Sequence, residues 1–199
     1  MSCPLVAGCC AVIREFLEQS GNPSLAMRNG RVSPSAALVK AILINGAVPL
    51  ATELKTPNFV SGFGRINLER SIVPSADSTV AKAEGFIEGP PLRKDEKKTF
   101  SVTIPDGTYE SFKVTLVWTD VPGKLLVNDL DLIVVAGGQE RHGNVDPGSH
   151  AYDRINNVEQ VTWENPPTGT VDIAVRAYNV RQLPGVETQD YALAWKLFA

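Results

Sequence analysis

Ser111-Phe112-Lys113-Val114-Thr115-Leu116-Val117-Trp118 sets an apolar side chain at every second position from Phe112 to Trp118. That is the period of a β-strand, whose side chains alternate between two faces. The same alternation recurs upstream in Phe100-Val102-Ile104. Downstream it returns in Leu130-Leu132, Val158 to Trp163, Val171-Ile173-Val175 and Tyr191-Leu193-Trp195-Leu197. Pro105-Asp106-Gly107, Pro122-Gly123, Gly137-Gly138, Pro147-Gly148 and Pro166-Pro167-Thr168-Gly169 punctuate these runs with turn chemistry, and no helical period intervenes. The expected outcome is an all-β antiparallel sandwich of jelly-roll type, with a sandwich of another topology as the alternative that spacing leaves open. About 120 residues suffice to enclose a core of their own.

Toward the N-terminus the spacing changes. Val6, Cys9, Cys10, Ile13, Phe16 and Leu17 recur at three- and four-residue intervals, which predicts a helix from Pro4 to Gln19 with the proline in its first turn. Leu5 to Ile13 is apolar all round and includes Gly8, a pattern that implies burial on every side and a close neighbour at the glycine. A second helix is expected from Ser33, as cap, and Pro34 through Leu38, Val39, Ile42 and Leu43 to Asn45-Gly46. Two glycines allow a tight path through Ser61-Gly62-Phe63-Gly64-Arg65-Ile66-Asn67, and a short helical piece follows from Leu68 to Ile72. Charge divides at the same place as the pattern: residues 1–76 carry seven Lys/Arg and four Asp/Glu, residues 77–199 twelve and eighteen. Ser71 to Asp77, with Pro74, is the expected junction, giving domains 1–76 and 77–199.

The balance of 43% hydrophobic and 21% charged residues is that of a globular chain, not a disordered one. A net charge of −3 and the absence of a basic stripe with interleaved aromatics argue against nucleic acid as a partner. Pro4 to Ile13, the longest nearly apolar run, is too short to span a bilayer, so no membrane partner is expected. No basic stretch precedes that run as a signal peptide would require, which leaves the compartment open. Cys3, Cys9 and Cys10 crowd into ten residues without zinc or redox spacing.

Met1-Ser2-Cys3-Pro4-Leu5-Val6-Ala7-Gly8 resembles the second half of the subtilisin-like serine protease signature Gly-Thr-Ser-Met-(Ala/Ser)-x-Pro-x-Val-Ala-Gly. In that family the serine opens a buried central helix, a Ser-Pro-x-x helix packs nearby, and a Gly-(Phe/Tyr)-Gly-Arg-x-(Asn/Asp) segment closes the catalytic domain. Pro4 to Gln19, Ser33 to Asn45 and Gly62 to Asn67 follow in that order. The resemblance implies a fold of two parts: the C-terminal helices of a subtilisin-like α/β catalytic domain, then the sandwich. It implies peptide-bond hydrolysis of a protein or peptide substrate by the full-length family member. The family's aspartate, histidine, oxyanion asparagine and nucleophilic serine all precede the matched residues, and Ser2 stands at the Ala/Ser position. No catalytic residue is therefore assigned in this chain, which is expected to be inactive alone. A start taken at an internal methionine, or a separately encoded front half of the catalytic domain, would account for this. Full-length relatives are often secreted.

Asn128-Asp129-Leu130-Asp131-Leu132, Asn156-Asn157-Val158-Glu159, Pro166 to Asp172 and Ala177-Tyr178-Asn179 resemble the C-terminal β-domain of some subtilases, and more loosely the P-domain of proprotein convertases. A non-catalytic binding or stabilising module is the alternative function for this part. On a strand, Asp129 and Asp131 point to one face while the leucines enter the core, and paired carboxylates suit a hard cation. Related β-domains are often calcium-bound, so calcium is the implied cofactor, with Asp129, Asp131, Asp153 and Glu159 as candidate ligands. An ordinary solvated strand face is the competing reading. His142 and His150, with Ser149 and Asp146 or Asp153, form a triad only on paper, because triad members must converge in space. Both histidines read as solvated loop residues.

Overall fold

A computed structural model describes residues 2–25, 27–28, 30–51, 55–72, 74, 83–181 and 187–199. Helix α1 spans Ser2–Gln19, and a two-residue hairpin, β1 (Met27–Arg28) and β2 (Arg31–Val32), follows it. Helices α2 (Ala36–Asn45) and α3 (Leu68–Ile72) complete the helical part. Ser35, two residues later than the expected Ser33, caps α2: its side chain accepts from the Leu38 amide. Pro34 lies just outside the helix, where the residue before a cap needs no amide donor. Gly62 and Gly64 take positive φ, and the Val48 to Arg65 backbone pairing passes so close to Gly64 that a Cβ there would meet the Val48 carbonyl. The junction expected at residues 76/77 lies outside the described residues.

Eight strands build two antiparallel four-stranded sheets. They are β3 (Gly85–Leu92), β4 (Lys97–Ile104), β5 (Ser111–Trp118), β6 (Asp129–Ala136), β7 (Gln139–His142), β8 (Val158–Glu164), β9 (Gly169–Asn179) and β10 (Gln189–Phe198). One sheet has the order β3-β10-β5-β8, the other β4-β9-β6-β7. Phe112, Val114, Leu116 and Trp118 of β5 meet Leu130, Leu132, Ile173 and Val175 of the other sheet in one core.

β3 was not expected. Its sequence, Gly85-Phe86-Ile87-Glu88-Gly89-Pro90-Pro91-Leu92, contains the residues that usually break strands. Its place at a sheet edge tolerates the prolines, and its glycines stand opposite Trp195 and Tyr191. A Cβ at either glycine would enter the facing ring. The strand is thus read by its partner's aromatics and not by its own pattern.

The helical part does not stand apart from the sandwich. All eight residues of β5 are buried, although its alternation would ordinarily leave one face in water. Leu38, Val39, Ile42 and Leu43 of α2 cover that second face, sharing a core with Val117, Val158, Ala192 and Ala194. At the helix end Asn45 Nδ2 donates to the Lys113 carbonyl (3.2 Å), Thr115 Oγ1 (3.1 Å) and the Ala194 carbonyl (3.1 Å). Gln160 Nε2 donates to Thr115 Oγ1, and Lys113 Nζ donates to the Ala47 carbonyl at 2.7 Å. Burial pushes the Lys113 ammonium down to about 8, with Arg70 adding to the shift and Glu110 opposing it. Polar groups this deep are tolerated because they are paired.

Helix α1 corrects the expectation of burial on every side. Only Cys9, Ile13 and Leu17 are buried, while Leu5 is 67% exposed, Val6 and Val12 are also exposed, and nothing lies near Gly8. Phe59 and Val60, at the tip of the loop fixed by Asn58, stand fully in solvent. No described helix is long and apolar enough to cross a membrane.

Candidate functional site

The four carboxylates singled out in the sequence are linked through one polar cluster at the β6/β8/β9 side of the sandwich. Leu130 and Leu132 enter the core as the strand period requires, and Asp129 and Asp131 share the opposite face. Asp131 is wholly buried and stands across from Arg176 of β9. The Arg176 Nε and Nη2 reach Asp131 Oδ2 at 2.8 Å and 2.6 Å, while Arg154 Nη1 bonds Asp131 Oδ1 and lies 3.2 Å from Asp129 Oδ2. The repulsion between paired carboxylates is relieved here by two guanidinium groups, which supply planar, forked donors.

Asp153 has both oxygens engaged: Oδ1 accepts from the Ile155 and Asn156 amides, and Oδ2 from Asn144 Nδ2 and Asn156 Nδ2. Burial pushes its carboxyl up, but these donors together hold it below the ordinary value. Glu159 reaches from β8 to the other sheet, where its Oε2 accepts from the Leu132 amide at 2.6 Å, beyond the end of the β6 to β7 pairing. Burial, with the charges of Asp131, Asp153 and Asp129 behind it, lifts the Glu159 carboxyl well above its usual value against that one donor. Burial likewise pushes Asp129 up to about 6, opposed by Arg154 and assisted by Asp131 and Asp153.

Two oxygens of the cluster, Asp129 Oδ1 and Glu159 Oε1, are buried without a hydrogen-bond partner. The two guanidinium groups pair with Asp129 and Asp131, and Asp153 is held by neutral donors, which leaves Glu159 buried with the single Leu132 amide against its charge. Burial of that carboxyl favours its protonated form. Among the described residues no three His, Cys, Asp or Glu side chains are grouped to hold a metal ion. Asp131 is engaged by both guanidinium groups and Asp153 by four neutral donors, and Asn157 donates to the Trp118 carbonyl.

Neighbouring motif residues close the sandwich end. Asp120 accepts from the amides of Val121, Val127 and Asn128 and so pins the loop between β5 and β6. Asn128, almost wholly buried, donates to Gln189 Oε1 and accepts from the Arg181 amide. His142 is the residue the sequence misplaced: it ends β7 and is buried, not solvated. Its ring nitrogens face the Ala151 carbonyl and Glu140, and Ser149 accepts from the Ala151 amide, so the paper triad is not assembled.

Comparisons with known proteins add a distant link. No family model matches the chain. An alignment of 175 positions, 29% identical and covering 76% of this chain, pairs it with the "Serine protease/ABC transporter B family protein tagA" of Dictyostelium discoideum. The matched region is 10% of that protein's length. Among solved structures, a periplasmic lysozyme inhibitor of g-type lysozyme from Aeromonas hydrophila, PliG, overlaps 63% of this chain and 92% of its own. The identity is 14% and the TM-score 0.33.

Proposed function

We propose that this chain is the C-terminal part of a subtilisin-like serine endopeptidase, in which α1 to α3 finish a catalytic domain and the β-sandwich braces them from outside. The observation that carries this reading is the half-covered helical layer. The sandwich seals α2, yet Leu5, Val6, Val12, Phe59 and Val60 stand uncovered, as the rim of a larger domain would. The ordered protease-like segments and the similarity to a protein named as a serine protease support it. The strand order, in which consecutive strands cross between the sheets except at the β6–β7 hairpin, supports a jelly roll.

On this reading the hydrolytic chemistry is that of the full-length family member, and no residue of this chain is assigned to it. Hydrolysis by this mechanism needs a serine, a histidine to take its proton, an acid to orient the histidine and donors for the oxyanion. The chain's own contribution is positional: α2 is fixed on the outer sheet through Asn45, and α1 packs on α2. Asp129 and Glu159, each with a buried oxygen that lacks a hydrogen-bond partner, are the residues proposed to hold calcium, which would there offset negative charge.

Two measurements test the reading. A fluorophosphonate probe should leave the purified chain unlabelled, and stoichiometric serine labelling would contradict it. Extending the reading frame upstream should encode Gly-Thr-Ser directly before Met1, with aspartate and histidine motifs earlier. A frame closed by stop codons would instead favour a non-catalytic module.

A further inference from the structure

A strand at the edge of a sheet offers a row of amides and carbonyls to any chain that lies alongside it, and proteins commonly block such edges. The sandwich has β3 and β8 at the edges of one sheet and β4 and β7 at the edges of the other. Three of these are obstructed. β3 carries Pro90 and Pro91, and its Phe86 carbonyl accepts from Asn22 Nδ2 at 2.9 Å. Along β8, Asn144 occupies the edge: its Nδ2 donates to the Val158 carbonyl, its Oδ1 accepts from the Gln160 amide, and its own amide donates to the Gln160 carbonyl. β7 is four residues long and runs straight into the turn whose Gly143 amide donates to the Leu132 carbonyl.

β4 is different. It is eight residues long and paired with β9 throughout, and among the described residues nothing bonds its other edge. Its outer-face residues Thr99, Ser101 and Thr103 are exposed, while Phe100 and Val102, which face the core, are only partly covered. No residue from Thr99 to Ile104 is charged or a proline, so nothing in that stretch repels or interrupts a neighbouring strand. Charge collects at the other end. Lys94, Lys97 and Lys98 are exposed and, among the described residues, have no carboxylate partner. Glu96 accepts from the Arg93 amide, Glu187 pairs with Arg93, and Asp172 accepts from Ser101 farther along the strand.

We propose that the free edge of β4 is a docking site for an extended peptide segment, which adds to the sheet as an antiparallel strand and brings carboxylates to Lys97 and Lys98. The direction is that of every pairing in the sandwich. It sets the C-terminal end of the peptide beside the lysines, so acidic residues belong there, preceded by an uncharged alternating run along Thr99 to Thr103. Main-chain bonds supply the attraction, and the charged end fixes the register. Apolar residues at alternate positions of the peptide cover Phe100 and Val102. A second copy of this chain is a poorer occupant, because antiparallel pairing of β4 with itself sets each pair of lysines against the uncharged end of the other strand. The surface belongs to the sandwich alone and stands apart from the protease reading.

The intact 199-residue chain suffices for the test, with the synthetic peptide acetyl-Thr-Val-Ser-Val-Thr-Val-Asp-Glu-amide as probe. Followed by NMR, its binding should slow exchange at alternate amides of β4 and leave β3, β7 and β8 unchanged. Replacing its Asp-Glu by Lys-Lys should weaken binding about tenfold. A chain carrying Lys97→Glu and Lys98→Glu, both at exposed positions, should fold as before and reverse that preference. β4 amides untouched by the acidic peptide, or equal affinity for the acidic and basic peptides, would overturn the proposal. Protection of β4 that grows with the concentration of the chain alone would make a second copy the occupant and overturn it equally.

Discussion

At the scale of single residues, the sandwich edge is organised by where protons and guanidinium groups sit. Asp131 is fully buried between Arg154 and Arg176, so Asp131→Asn strands two cations and should cost about 3 kcal/mol in urea unfolding, with or without calcium. Asp129 and Glu159 behave differently. Each binds its proton more tightly folded than unfolded, so the fold gains stability as that proton is taken up and loses it as pH rises through the window between the two values. For Asp129 that window runs from 3.8 to about 6. Thermal melting should therefore be higher near pH 5 than near pH 7.5, and Glu159→Gln, which keeps an acceptor for the Leu132 amide, should flatten the profile. A profile unchanged by Glu159→Gln would remove Glu159 from this account. Were calcium held at those two oxygens, as proposed, the rise it brings to the melting temperature should be larger near pH 7.5 than near pH 5 and absent in Asp129→Asn. Coincident curves with calcium and with chelator would leave protons as the only counter-charge. The sequence placed Asp129 and Asp131 on one face because strand period alone dictates it. It did not reveal the arginines, because Arg154 and Arg176 arrive from 23 and 45 residues away.

Among the elements, those built on period and local capping were legible and those built on a partner were not. The alternating runs became β4, β5, β6, β8, β9 and β10, and Leu68–Ile72 formed the short helix expected of it. β3 and β7 escaped notice for opposite reasons: β3 is composed of strand breakers accommodated by aromatics across from it, and Gln139-Glu140-Arg141-His142 has no apolar alternation. Gly89→Ala tests the first explanation. Its Cβ would meet the Tyr191 ring, and the loss should be about 1–3 kcal/mol, far more than an exposed edge strand would register. Helix α2 is anchored by one side chain above others. Removing the Asn45 carboxamide leaves three buried acceptors one donor short, and Asn45→Ala should lower stability by about 2–3 kcal/mol in chemical denaturation. A change within 0.5 kcal/mol would mean that the apolar face of α2 holds the helix without it.

For the molecule as a whole, the change of pattern and charge near residue 76 marks a change of architecture but not a gap in packing. Spacing within each part says nothing about contacts between parts, so the sequence suggested a sandwich that folds alone and helices that do not. The structure places a second core between them, formed by α1 and α2 on one side and β5, β8 and β10 on the other. Leu38, Val39, Ile42 and Leu43 each gain roughly 1.5–3 kcal/mol from burial, which is large beside a domain's net stability of about 5–15 kcal/mol. The brace is therefore expected to be cooperative with what it supports. Native-state hydrogen exchange at increasing urea measures this directly, because each amide reports the free energy and the surface area of the opening that exposes it. The amides of Val39 to Gly46 should open with the same free energy and urea dependence as those of β5 and β10. If the α2 amides exchange through a smaller, cheaper opening while β5 and β10 stay protected, the helices merely rest on the sandwich and the bracing role fails.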